Sequence, residues 1–275
     1  MPRRPIVCAM LGNARPVGDL LREWRQRRRL SQLDLALEAD ISTKHLSFVE
    51  TGRALPSRDM VIHLADRLEI PLRERNRLLV AAGYAPVFRE RALGDPALDA
   101  VRRAVDQVLA GHEPYPALAV DRHWTLIAAN AAVAPLLAGV AAALLQPPVN
   151  VLRLSLHPEG LAPRIANLAE WRAHLLARLD RQIDLTADPA LSALRDELAR
   201  YRQPPLSRRF APERAPPSPV VPLELVTPAG VLAFVSTVTV FGTPIDVTVS
   251  ELAVEALFPA DAATAERLRR PAGSV

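Results

Sequence analysis

The stretch LSQLDLALEADISTKHLSFVETG, residues 30–52, decides the fold of the first part of the chain. Ser31 reads as a helix N-cap, and Asp34 three residues later supplies the reciprocal partner of a capping box. Leu35, Ala36 and Ala39 give this helix a buried side, and it stops near Asp40. Ser42 starts a second helix, with Ile41 and Leu46 at the two positions of a hydrophobic staple. Leu46 and Val49 then point inward, which leaves Thr43, Lys44 and Ser47 facing out. Gly52 stands where a left-handed residue ends the helix. The spacing predicts two short helices joined by a tight turn, a helix-turn-helix.

Working outward, supporting helices flank this pair. Residues 17–29 carry the apolar stripe Val17, Leu20, Leu21 and Trp24. After the loop at 53–57, Ser57 caps a helix with Val61, Leu64, Ala65 and Leu68 inside. Pro71 opens another, packed through Leu72, Leu78, Leu79 and Ala82 and closed by Gly83.

Residues 17–82 resemble the lambda-repressor-like, or XRE, family of DNA-binding domains. The likeness rests on Ser31-Gln32, Leu35-Ala36, Ala39, Ile41-Ser42, and Glu50 with Gly52. The family turn usually has Gly where this chain has Asp40, a residue that tolerates the left-handed conformation. The resemblance implies that Arg25 and Glu50 form a buried ion pair and that Gln32 fixes a phosphate. It also makes the second helix a DNA reader. Ser42, Thr43, Lys44 and Ser47 are then its DNA-contact candidates; Thr43, Lys44 and Ser47 face the major groove, where Lys44 can donate to guanine and Thr43 can touch a thymine methyl. Arg53 follows the helix and suits a phosphate. Arg27, Arg28 and Arg29 suit either phosphates or plain solvated charge. Phe48, exposed by periodicity, suits either a base methyl or packing against the first helix.

Composition sets the bounds. A chain of 275 residues, 49% of them hydrophobic, allows two domains with proper cores. No apolar run reaches membrane-spanning length. The basic N-terminus, residues 1–14, lacks the h-region of a signal peptide and reads as a flexible arm. The single Cys8 excludes an internal disulfide and a thiolate zinc cluster, which fits a cytoplasmic location. Net charge is only +4, but the arginine excess sits in the first third (Arg3, Arg4, Arg25 and Arg27 to Arg29). A basic reader joined to a near-neutral half suits a nucleic-acid binder with a regulatory domain.

In the second half the periodicity changes. Residues 95–109 predict a connecting helix with Leu98, Val101, Val105 and Val108 on one face. Residues 117–120 and 124–128 read as a hairpin of two strands, and Asn130 as the cap of a helix through Leu137. Residues 151–156 are extended or briefly helical. Amphipathic helices are expected at 163–180 and 189–201, a flexible loop at 204–219, and strands at 221–226, 231–240 and 245–249. A short helix expected at 262–269 closes the domain.

This α+β order resembles the PAS-like ligand-binding domain of MmyB-like transcription regulators, over residues 115–270. The stretches that carry it are Asp121-Arg122-His123-Trp124 through Asn130-Ala131-Ala132, Asn150-Val151-Leu152-Arg153 to Pro158, and Ala169-Glu170-Trp171. The resemblance implies a long-chain fatty acid or similar lipid as ligand. Trp124, Leu126, Trp171, Leu175, Phe234 and Val238 are the bulky residues that line such a cavity or simply fill a core. Ser236, Thr237 and Thr239 offer hydroxyls on its floor, and Arg153 or Arg172 meets a carboxylate or else lies at the surface.

Enzyme classes find little support. Lys44, the one lysine, lies in the reading helix, so no Ser-Lys dyad is available. The histidines show no HxH or HExxH spacing, and no phosphate-cradling glycine loop exists. No cofactor is implied. The expectation is a regulator that is not an enzyme, an α+β chain with an N-terminal all-α five-helix helix-turn-helix domain and a PAS-like α+β domain. Its expected boundaries are 1–14 for the arm, 15–92 for the reader, 93–112 for the connecting helix and 113–275 for the ligand-binding domain. Its expected partners are a double-stranded DNA operator, a small apolar ligand such as a long-chain fatty acid, and a second copy in a homodimer, with no membrane. The runner-up is a second domain with a filled core that serves dimerisation or a protein partner.

Overall fold

The computed structural model describes residues 15–202 and 220–269; the expected N-terminal arm and the loop at 204–219 lie outside these described residues. The described residues divide into two compact units, the first up to Arg89 together with Asp184–Thr186, the second from Glu90 to Ile183 and from Ala187 onward.

The first unit is five helices: α1 (Val17–Arg27), α2 (Gln32–Glu38), α3 (Thr43–Glu50), α4 (Arg58–Arg67) and α5 (Leu72–Ala81). Their limits follow from local chemistry. The Ser31 hydroxyl accepts from the Asp34 N–H while the Asp34 carboxylate accepts from the Ser31 N–H, a complete capping box. Ser42 and Ser57 cap α3 and α4 through the amides of His45 and Met60. Such caps are each worth about 1 kcal/mol. Asp40 turns the chain between α2 and α3 at φ +50°, and Gly52 ends α3 at φ +73°. Leu21, Leu35, Leu46, Leu64, Leu68 and Leu79 are fully buried between the helices. Gly18 lets α1 lie directly on the end of α3, because a Cβ there would come within 2.4 Å of the Val49 carbonyl oxygen.

The second unit is built on one antiparallel sheet in the order β2-β1-β5-β4-β3. Its strands are β1 (Ala117–Val120), β2 (Leu126–Ala129), β3 (Leu223–Thr227), β4 (Gly230–Val240) and β5 (Ala253–Pro259). The helices are α6 (Asp99–Gly111), α7 (Val151–Leu156), α8 (Leu168–Thr186), α9 (Pro189–Arg200), α10 (Val247–Ser250) and α11 (Ala262–Arg269). β5 is central: Val254 pairs with Ala119 on one side and Thr239 on the other. Side chains alternate across it. Val254 and Ala256 join Ala117, Ala119, Val105 and Leu109 in a cluster beneath α6. The opposite face meets α7, α8 and α9 in the main core, with Phe234, Leu225, Leu179 and Leu198 fully enclosed.

Several expectations are corrected here. Residues 245–249 are not a strand. The Asp246 carboxylate accepts from the Thr248 N–H and starts the short α10 instead, and the third strand of the C-terminal group is β5. Trp124 does not belong to a strand but sits in the turn before β2 at φ +66°. Asn130 caps no helix. Its side chain is buried, accepting from the Ala117 N–H and donating to the carbonyls of Leu109 and Tyr115, and only a 3-10 turn, Ala134–Leu137, follows it. The first amphipathic helix starts at Leu168, because residues 163–167 form a turn in which Ile165 bridges to Leu225. Residues 95–109 become a 3-10 turn, Pro96–Leu98, followed by α6, which packs on the sheet through Val105 and Leu109.

Candidate functional site

The candidate reading surface is the N-terminal half of α3. Ser42, Lys44 and Arg53 are exposed, and Gln32, Thr43 and Ser47 are half-buried. Phe48 is half-buried, not exposed as periodicity suggested. Its ring lies under two cations, the Lys44 ammonium 5.7 Å and the Arg53 guanidinium 5.9 Å from the ring centroid. Contacts of this kind hold both cations over one hydrophobic plate.

Behind this surface α3 is fixed by a buried network. Arg25 Nε donates to Glu50 Oε1 at 2.6 Å, and its terminal nitrogens reach Glu50 Oε2 at 2.9 Å and the Leu30 carbonyl at 2.8 Å. Gln32 Nε2 adds a third bond to the Glu50 carboxylate, at 2.8 Å. The bond to Glu50, opposed by burial, raises the Arg25 pKa above its ordinary value. One carboxylate thus ties α1, α2 and α3 together. Gln32, expected to fix a phosphate, spends one amide N–H on this tie and has a second to donate.

In the second unit a cavity of about 120 Å³ lies between the sheet and helices α7 and α8. Leu118, Leu223, Leu225, Ser236 and Leu257 line it from the sheet, Val151, Leu152 and Leu154 from α7, and Trp171, Leu175 and Arg178 from one face of α8. Trp124 and Leu126 close it at the β2 end. A loop of hydrogen bonds holds Trp124 in its left-handed conformation, which is unusual for a bulky residue. The Asp121 carboxylate accepts from the amides of His123 and Thr125, both at 2.8 Å, and the Asp121 carbonyl accepts from the Trp124 N–H at 3.0 Å. Both indole N–H groups have partners in the protein, Trp124 in Gln182 at 2.8 Å and Trp171 in Ser155 at 2.9 Å. The rings therefore offer the cavity carbon.

Of the residues expected to bind a ligand, Trp124, Leu126, Trp171, Leu175 and Ser236 come together around this cavity. Phe234 is fully enclosed in the core beside it. Val238 is corrected: it lies on β4 beyond the reach of β3, 45% exposed. Thr237 and Thr239 alternate to the other face of the sheet, opposite Ala256 and Val254. Arg153 and Arg172 do not line the cavity; Arg153 pairs with Glu197, and Arg172 donates to the carbonyls of Leu198 and Ala199.

Sequence reasoning missed the charged pair that does reach the cavity. Arg178 and Glu255 both line it, bound to each other through both guanidinium terminal nitrogens, and Arg178 lies 4.4 Å over the Trp124 ring. The signal was there: Arg178 continues the Trp171 and Leu175 stripe of α8, and Glu255 interrupts an apolar strand. One turn before Arg178, His174 stacks on Trp171. Burial, then the positive charges of Arg178 and Arg181, lower its pKa below the ordinary histidine value. Among the described residues no group of three or more His, Cys, Asp or Glu could hold a metal ion. No helix among them is long and apolar enough to cross a membrane.

Comparison with known proteins agrees with this division. The family described as the MmyB-like transcription regulator ligand binding domain matches residues 101–270, and a helix-turn-helix domain family matches residues 16–78. The chain belongs to the MmyB-like transcription regulator ligand-binding family and carries a helix-turn-helix region ahead of that domain. A candidate HTH-type transcriptional regulatory protein of Methanoculleus marisnigri is 36% identical over 131 residues, which are 45% of this chain and 42% of that protein. The chain thus spans less than half the length of this curated relative.

Proposed function

We propose that this protein is a cytoplasmic, ligand-responsive transcription regulator that is not an enzyme. The reader, residues 15–92, binds a double-stranded DNA operator as part of a homodimer. Residues 113–275 hold a small apolar molecule, and the segment at 93–112 connects the two. On the DNA, Thr43, Lys44 and Ser47 contact base edges, while Gln32, Ser42 and Arg53 contact the backbone. Ligand acts only through different affinities for different arrangements of the regulator. The observation that carries this reading is the apolar cavity in a domain of a ligand-binding family. An apolar cavity of about 150 Å³ stays dry and takes up benzene, so a space of about 120 Å³ suits a small ring or a short chain.

Size bears on the fatty-acid expectation. Burying about six methylenes gains roughly 5 kcal/mol, which corresponds to a dissociation constant on the order of 0.1–1 mM. About a dozen reach the micromolar range, but a chain of that length requires the lining leucines to swing aside. By length alone, an acyl chain therefore fits this site when it is short, or when it is long and opens the site further. Thermal shift and operator titration with acyl compounds of graded length test the reading. Ligand should raise the melting midpoint with concentration and change operator affinity, and operator should change ligand affinity by the same factor. A protein that no compound stabilises would be the runner-up, a dimerisation or partner-binding module.

A further inference from the structure

Among the described residues the cavity's charged lining is one pair of opposite sign, and this constrains the polar end of whatever enters. Glu255 is buried on the central strand β5, 7% exposed, and Arg178 reaches it from α8 with side-chain exposure of 22%. The two are hydrogen-bonded through both terminal guanidinium nitrogens. We propose that the Arg178–Glu255 pair makes this cavity select molecules with an uncharged polar head, such as an alcohol, an amide or a carbonyl, over free carboxylates and amines of the same length. The proposal rests on the sensor reading and specifies its ligand class.

The argument is one of charge and hydrogen-bond capacity. A guanidinium has five N–H donors and a carboxylate about four acceptor sites, and the pair uses one N–H of each terminal nitrogen. A hydroxyl or amide therefore accepts from Arg178 and donates to Glu255 without separating them. Ser236 adds a hydroxyl in the cavity wall. A ligand carboxylate can accept from the same spare N–H groups, but it then shares one guanidinium charge with the Glu255 anion beside it, and taking Arg178 outright strands that buried anion. Breaking a buried pair costs far more than a surface one. An ammonium head meets the mirror problem at Arg178, which Glu255 and the Trp124 ring already hold. Apart from the Ser155 hydroxyl, the rest of the wall among the described residues is leucine, valine and tryptophan carbon and offers a charge no other charged partner.

Four eight-carbon compounds at pH 7, octanol, octanamide, octanoate and octylamine, test this by calorimetry on the full chain. Octanol and octanamide should bind about tenfold or more tighter than the two charged compounds. Glu255→Gln, which keeps the shape and removes the anion, should turn the preference toward octanoate by about tenfold while octanol changes little. Octanoate binding as tightly as octanol to the unaltered protein would overturn the head-group assignment and leave the sensor reading standing. Binding by none of the four would overturn the sensor reading itself. The unaltered protein alone decides between these outcomes if the Glu255→Gln chain does not fold.

Discussion

Removing Arg25 should do more than delete an ion pair. The Glu50 side chain is 1% exposed and accepts three hydrogen bonds, two from Arg25 and one from Gln32. Arg25→Ala leaves that carboxylate buried with Gln32 as its one remaining side-chain donor among the described residues. Breaking one member of a buried pair costs about 3–5 kcal/mol, whereas replacing both by apolar residues of similar size is near neutral or stabilising. Arg25→Ala should therefore lose about 3 kcal/mol or more, and Arg25→Met combined with Glu50→Leu should recover most of it. For a domain of this size a loss of about 3 kcal/mol lowers the melting midpoint by roughly 12–24 °C. Urea titration of the single and double variants gives the coupling energy, and hydrogen exchange at the amides of α1 and α3 places the loss in the first unit. Single variants within about 0.5 kcal/mol of the parent, with additive effects in the double, would refute the reasoning.

Other outcomes follow from the same structure. Lys44→Ala should weaken binding to a selected operator by about 1–3 kcal/mol and relax preference at one base pair, whereas Gln32→Ala should weaken all sequences alike; a binding-selection experiment separates the two. Gly18→Ala should destabilise the first unit by about 1–3 kcal/mol although alanine favours helices, because its Cβ would meet the Val49 and Glu50 carbonyl oxygens at 2.4 and 2.7 Å; unchanged melting would contradict that contact. Leu257→Phe, which fills the cavity, should cost a small apolar ligand about tenfold in affinity with the fold intact by circular dichroism. The Arg153 guanidinium holds the Glu197 carboxyl below its ordinary value of 4.5. A carboxyl depressed in the folded state adds stability that is fully present above its unfolded value and is lost as pH falls through the folded one. The link between α7 and α9 should thus weaken below about pH 4.5, and Glu197→Gln should flatten that limb of the pH–stability curve.

The first unit was legible because its signals are local. Ser31, Ser42 and Ser57 each cap the helix that starts beside them, and Asp40 and Gly52 turn the chain where they stand. Even the Arg25–Glu50 contact was readable through resemblance. The second unit depends on pairings between distant segments. The β-branched run at 245–249 looked like a strand, yet one buried aspartate turned it into α10, and β5 was settled by partners on β1 and β4. Alternation along β4 gave the face of Val238 but not where its covering layer stops. Arg178 and Glu255 lie 77 positions apart, and neither residue alone announces the other.

The central strand β5 has a consequence for how this domain can vary. It is a partition one peptide thick, with Glu255 and Leu257 on the cavity side and Val254 and Ala256 under α6. Neither room can be refurnished alone. A larger residue at Ala256 has α6 on its own side and β1 and β4 on either flank, so the slack left to it is the hollow behind the strand. Substitutions that never touch a ligand should therefore retune which ligand fits, and the helix least expected to matter for chemistry sets the dimensions of the site.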